Sequence, residues 1–173
     1  MDDEPSYEIT VTEPDHAASI VDWPPIDAAA LHAAVAAALR RHGIRRACIG
    51  LAVVDDGEIA RLNRGYLKHE GPTDVITFDM RDHPEAPALD TAVSCQGNDV
   101  EGEIVVSAET ALRQATARGH GVAAELSLYA VHGVLHLLGY DDHGEEQAER
   151  MHRVEDEVLT SMGIGAIYGA TRR

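Results

Sequence analysis

Residues 7 to 12, YEITVT, alternate apolar and polar side chains, the two-residue period of a half-buried strand. Two prolines at 24 and 25 precede Asp27, and an Ala-rich run then carries Leu31, Val35 and Leu39 at helical spacing as far as Gly43, predicting a helix over about residues 27 to 42. ACIGLAVV at 47 to 54 reads as a buried strand, Asp55-Asp56-Gly57 as a turn, and about 56 to 66 as a short helix. DVITF follows Gly71 and Pro72 as a third strand, and EIVVS at 103 to 107 reads as a fourth, leading into a helix that stops near Gly119. Two more helices are predicted, at about 122 to 138 and 145 to 162. In the last, Met151, Val154, Val158 and Met162 form an apolar stripe, with the acids at 145, 146, 149, 155 and 157 read as outside it.

Strands and helices mingle without strict alternation, and no internal repeat is visible. The expectation is an α+β fold, a small mixed sheet of about four strands covered by about five helices. A length of 173 residues suits one domain, with loose tails at 1–6 and 165–173 and a long loop at 79–100, where prolines, acids and small polar residues show no periodicity.

The penultimate helix carries the candidate chemistry. In VAAELSLYAVHGVLHLLG, Glu125, Tyr129, His132 and His136 are spaced four, three and four apart and share one face of an otherwise apolar helix. Histidines four apart point the same way, with Cβ atoms about 6 Å apart, close enough to take two corners of a tetrahedral zinc site. Gly139 is placed to end the helix in the left-handed conformation and to turn the Asp141-Asp142-His143 corner back as the source of a third ligand. Three protein ligands leave a position for water, which points to one catalytic Zn2+ per chain. Glu125 and Tyr129, upstream on the stripe, are candidates to orient a ligand histidine. A peptidase of the HExxH type would need a glutamate after the first histidine, where this chain has Gly133.

Composition adds limits. No run of eighteen apolar residues exists and the first thirteen residues are acidic, so neither a membrane span nor a signal peptide is expected. Two cysteines, Cys48 and Cys95, without metal-site spacing, are expected as plain thiols in a reducing cytoplasm. Against 30 acidic residues there are 14 basic ones, a net charge of −16, which opposes polyanion binding at long range. Arg40, Arg41, Arg45 and Arg46, then Arg61, Arg64 and Lys68, are nevertheless clustered enough to line a local basic groove.

HGVLHLLGYDDH closely resembles the HGxLHLxGYDH signature of the YbeY-type endoribonucleases. LNRGYLKHEGPTDVITF at 62 to 78 is similar to that family's LNxxYRxxxxPTDVLSF segment, and EGEIVVSAETALRQA at 101 to 115 to its GDIVIS segment and following helix. The resemblance covers about residues 45 to 162. It implies a cytoplasmic, zinc-dependent endoribonuclease that prefers single-stranded RNA, acting on ribosomal RNA, notably at the 3′ end of the small-subunit RNA, and in ribosome quality control. The partners implied are single-stranded RNA, ribosomal RNA and the ribosome, with no membrane and no DNA.

Carried over by position, the family's first two zinc histidines fall on His132 and His136. Its third, ten residues after the first, falls on Asp142, with His143 one residue later. Both side chains bind zinc at about 2.0–2.2 Å. His143 is favoured because imidazole is the commoner ligand and a glycine-led turn can absorb one residue; Asp142 is its rival. The family's arginine after the tyrosine is Leu67 here, so Arg64 and Lys68 are the candidate phosphate contacts. Two other classes stay in play: an assembly factor whose metal only stabilises the fold, and a metzincin-like peptidase.

Overall fold

The computed structural model describes residues 4–82 and 99–169. A four-stranded mixed sheet runs in the order β1-β2-β4-β3, from β1 (Ser6–Thr12), β2 (Arg46–Val54), β3 (Val75–Asp79) and β4 (Val100–Ser107). β1 and β4 lie parallel to β2, and β3 lies antiparallel to β4. Five α-helices accompany it: α1 (Ala28–Arg41), α2 (Asp56–Leu62), α3 (Ala108–Arg118), α4 (Val122–Leu137) and α5 (Glu145–Ser161). Sheet and helices agree with the expected α+β class.

β2 explains the layering. It is flanked by strands on both edges and buried from Ala47 to Val54, so its side chains feed two cores in alternation. Ala47, Ile49, Leu51 and Val53 enter the larger core with Leu31, Val35 and Leu39 of α1 and the apolar side of α4. Ala52 and Val54 enter a smaller one with Ile59 and Leu62 of α2, Ile76 and Phe78 of β3, and Val105 of β4. Helix starts follow the sequence: Asp27, Asp55 and Ser107 each accept a hydrogen bond from the backbone N–H three residues on.

Several boundaries differ from the expected ones. The helix expected to run to 66 leaves α geometry at Asn63 and ends in a π-helical turn, Asn63–Leu67. Buried Asn63 donates from Nδ2 to the Gly71 carbonyl at 2.9 Å and accepts from the His69 N–H, tying the returning chain to this turn. β4 begins three residues early because Val100 pairs with Ala47, and Asp79 closes β3 opposite Gly102. Most of the predicted 79–100 loop lies outside the described residues. Both expected loose tails are partly bound: Ser6 pairs in β1, and Asp156 accepts the N–H groups of Ile167, Tyr168 and Gly169 at 2.7, 3.1 and 2.9 Å. Ile167 is buried, which the tail reading missed because one apolar residue gives no period. Cys48, expected as a plain thiol, is disulfide-bonded, with its partner outside the described residues. Among the described residues no helix is long and apolar enough to cross a membrane.

Candidate metal centre

α4 is pressed against the sheet at two glycines. A Cβ on Gly133 would stand 2.5 Å from Ile104 Cγ2, and one on Gly102 of β4 would stand 2.5 Å from Leu137 Cδ1, both inside contact distance. The side of α4 at Gly133 thus faces β4 with no room for a longer side chain. His132 and His136 lie off this contact, with side chains 17% and 25% exposed.

The helix ends as its sequence suggests. Gly139 takes φ +92°, a left-handed value that glycine adopts without a Cβ penalty, and the N–H groups of Gly139 and Tyr140 close onto the carbonyls of His136 and Leu135 at 3.0 Å each. This turn lays the Tyr140 carbonyl 3.1 Å from His136 Nδ1. The chain then carries Asp142 over the histidines, with Oδ2 3.8 Å from His132 Nε2 and 3.9 Å from His136 Nε2. One donor atom from each of the three lies within 4.8 Å of the others.

The hydrogen bonds fix which nitrogens are free. His132 Nδ1 is 2.6 Å from Oε1 of Glu155, a fully buried residue of α5. The Glu155 carboxylate and the Tyr140 carbonyl are acceptors, so each Nδ1 carries its proton and, in the neutral rings, each Nε2 offers a lone pair. The two Nε2 atoms face each other at 3.0 Å. Two lone pairs at that separation repel unless a proton or a cation lies between them, and the Asp142 carboxylate completes a three-donor corner suited to a cation. Histidine and carboxylate are ordinary zinc donors, and a carboxylate behind a ligand histidine is the usual outer support of such sites.

Electrostatics divides the pair. Burial pushes His132 towards its neutral form, but the hydrogen bond and charge of Glu155, with the charges of Asp74 and Asp142, outweigh it and hold the ring above its ordinary value. His136 is held below its ordinary value, first by burial and then by the charge of His132.

Other predicted residues fall elsewhere. His143 has an 86% exposed side chain whose Nδ1 and backbone N–H both engage Asp141 Oδ1, so the geometry groups Asp142, not the favoured His143, with the two histidines. His143 belongs instead to an exposed cluster with Asp141 and Asp142. The turn that follows Gly139 brings Asp142, the second of the two aspartates, over the histidines one residue before His143 is reached. Glu125 does not support the site histidines; it is fully buried and holds Arg118 Nη1 at 2.9 Å, with His120 Nε2 also at 2.9 Å. Seven residues of α-helix separate it from His132 by about 10 Å along the axis, too far for contact. Tyr129 is buried and, among the described residues, makes no hydrogen bond to either histidine; burial, then the charge of Glu125, raises its hydroxyl well above the ordinary value. Arg64 pairs loosely with Glu70 at 3.9 Å, and Lys68 Nζ donates to the Gly65 carbonyl at 2.9 Å. Neither is brought onto the histidines by a hydrogen bond or ion pair.

Glu155 is the residue the sequence reading missed, having placed it outside the apolar stripe. The signal was present: it stands four after Met151 and three before Val158, on the buried side of α5. Asp74, the first residue of the predicted DVITF strand, accepts the Val75 N–H through Oδ1 and also acts on His132 through its charge.

An α+β fold with a histidine pair on one helix, backed by a buried carboxylate and closed by an aspartate turn, defines a helix-borne candidate metal centre. A sequence model of the family described as endoribonuclease YbeY matches residues 22–163, and the chain belongs to that family. Among curated relatives, an endoribonuclease YbeY of Heliobacterium modesticaldum is 40% identical over 116 residues, spanning 67% of this chain and 70% of the relative. The one from Chloroflexus aurantiacus is 36% identical over 140 residues, spanning 80% and 88%. A protein of Thermotoga maritima with a known solution structure aligns over 91% of both chains with a TM-score of 0.52 at 21% identity, a likeness of fold.

Proposed function

We propose that this chain is a zinc-dependent, single-strand-specific endoribonuclease of the cytoplasm, acting in ribosomal RNA processing at the small-subunit 3′ end and in ribosome quality control. The relatives' shared name, endoribonuclease YbeY, supports RNA cleavage as the activity. The observation that carries the metal is the pair of Nε2 lone pairs facing each other at 3.0 Å, with both Nδ1 atoms committed to acceptors. His132, His136 and Asp142 would hold the ion. Zinc bound there would supply Lewis acidity to the scissile phosphodiester and would lower the pKa of a bound water.

The protein's own part is positional. Glu155 fixes the His132 ring and its tautomer, the Tyr140 carbonyl does the same for His136, and Asp142 contributes negative charge at the entrance. Arg64, 65% exposed and only loosely paired, is free to swing to a phosphate; Lys68 can do so by releasing the Gly65 carbonyl. Peptide hydrolysis of the HExxH kind is disfavoured because the place of its glutamate is Gly133, packed on Ile104.

Metal analysis of purified protein, joined to cleavage of a labelled single-stranded RNA, tests this reading. His132→Ala and His136→Ala should lose zinc and cleavage together. Full cleavage by a metal-free variant would sink it, and zinc held by four protein ligands with no cleavage would favour the assembly-factor alternative.

A further inference from the structure

Just before Glu155 on α5, His152 and Arg153 line a half-open cavity of about 530 Å³, together with Glu149 and Asp156 of the same helix, Arg118 at the end of α3 and Tyr168. Its size is that of a small-molecule site, within the usual range of about 300–1,000 Å³. Resting on the reading of this chain as a ribonuclease, we propose that the cavity is a subsite for one nucleotide of single-stranded RNA beside the metal centre, with Arg153 and Arg118 meeting the backbone phosphate and the His152–Tyr168 pair meeting the base.

Charge is the first argument. Seven arginines of the described residues, at 41, 46, 61, 64, 81, 113 and 118, each have a carboxylate within 4.0 Å. Arg153 is exposed and has no such partner among the described residues, although the chain carries a net charge of −16. Two acids share the cavity wall with the arginines, Glu149 and Asp156, and Asp156 spends both carboxylate oxygens on the three backbone N–H groups of 167–169. Arg118 commits Nη1 to buried Glu125 and keeps its side chain 36% exposed. The cavity therefore offers guanidinium donors of the kind that hold phosphates in a fixed geometry.

The second argument is the ring pair. His152 and Tyr168 stack at 3.7 Å with 11° between planes, and the Arg118 guanidinium carbon lies 5.5 Å from the Tyr168 centroid. Cations beside flat rings are the combination that single-stranded nucleic acid uses, phosphate to the cation and base to the ring, without regard to sequence. Position is the third. Glu155, 2.6 Å from His132 Nδ1, follows the cavity residue His152 by three positions on α5, so about one helical turn separates the cavity from the metal centre.

The test is binding of a labelled single-stranded oligoribonucleotide to the full chain over a range of salt, with cleavage followed in parallel. Arg153→Ala, an exposed change with no partner to orphan, should weaken binding about five-fold at low salt, independently of sequence, and lower the salt slope by about 0.7. Arg150→Ala, on the same helix but outside this cavity, should leave both unchanged. If Arg153→Ala binds like the parent while the parent binds and cleaves RNA, the subsite is overturned and the ribonuclease reading stands. If Arg153→Ala loses binding while the parent binds RNA without cutting it, the subsite stands and the ribonuclease reading falls. A parent that binds no RNA overturns both.

Discussion

Glu155 and His132, 23 residues apart on neighbouring helices, share a 2.6 Å hydrogen bond between Oε1 and Nδ1, with Glu155 wholly shielded from solvent. Its other oxygen, Oε2, makes no hydrogen bond and is buried as well. A carboxylate kept in such a place is costly unless a positive charge compensates it, and the partner histidine alone carries one only when doubly protonated. A cation on His132 Nε2 would supply that charge through the ring.

Glu155→Gln keeps the shape and an acceptor oxygen but removes the charge. Zinc affinity should fall by about ten-fold, and by up to about 100-fold in Glu155→Ala, when titrated against a competing chelator. Unchanged affinity in both variants would separate Glu155 from the metal centre.

Asp142 and His143 can be told apart by the same titration. Asp142→Ala should weaken zinc binding by more than about 100-fold, the loss of a direct ligand, whereas His143→Ala should stay within about three-fold of the parent. The reverse ranking would mean that the turn rearranges when the metal binds.

Gly133→Ala should destabilise the fold by about 1–3 kcal/mol, because the added methyl overlaps Ile104 and α4 must lift from β4. Paired with Ile104→Ala, which empties the same space, the two losses should add to less than their sum in chemical denaturation. Strict additivity would show that the helix accommodates the methyl in another way.

Asp56, at the start of α2, binds Ser107 Oγ at 2.6 Å, Thr110 Oγ1 at 2.8 Å and Arg113 Nη1 at 2.7 Å. Burial alone would raise its carboxyl, but these partners prevail and hold it below the ordinary 3.8. A depressed folded value means that its contribution is complete above pH 3.8 and disappears as pH falls through the folded value. Asp56→Asn should cost about 1–2 kcal/mol at neutral pH, and its stability should fall less steeply than that of the parent below about pH 4. Parallel stability curves would remove Asp56 from the acid response.

The fold was legible where period and punctuation agreed. β2 and α4 show apolar runs bounded by turn residues, and their observed bounds differ from the expected ones by one residue. Legibility failed where tertiary pairing set the end of an element, as at Val100, whose strand start is fixed by Ala47 across the sheet. In the site, His132 and His136 could be seen because one helix carries both. Glu155 could not be placed so easily, since a buried acid on an amphipathic helix looks like a surface acid until the opposite helix is known. The choice between Asp142 and His143 turned on how a single glycine cap aims the chain, which spacing does not encode.

The close seat of α4 on β4 bears on how this scaffold could be redesigned. Turning the helix towards peptide hydrolysis would call for a glutamate at position 133, whose Cβ would already stand 2.5 Å from Ile104 Cγ2. An engineer would have to begin in the strand, shortening Ile104 and letting the helix rise, before touching either histidine. In this architecture the repertoire of the histidine-bearing helix is limited from underneath, by the thickness of the layer it rests on.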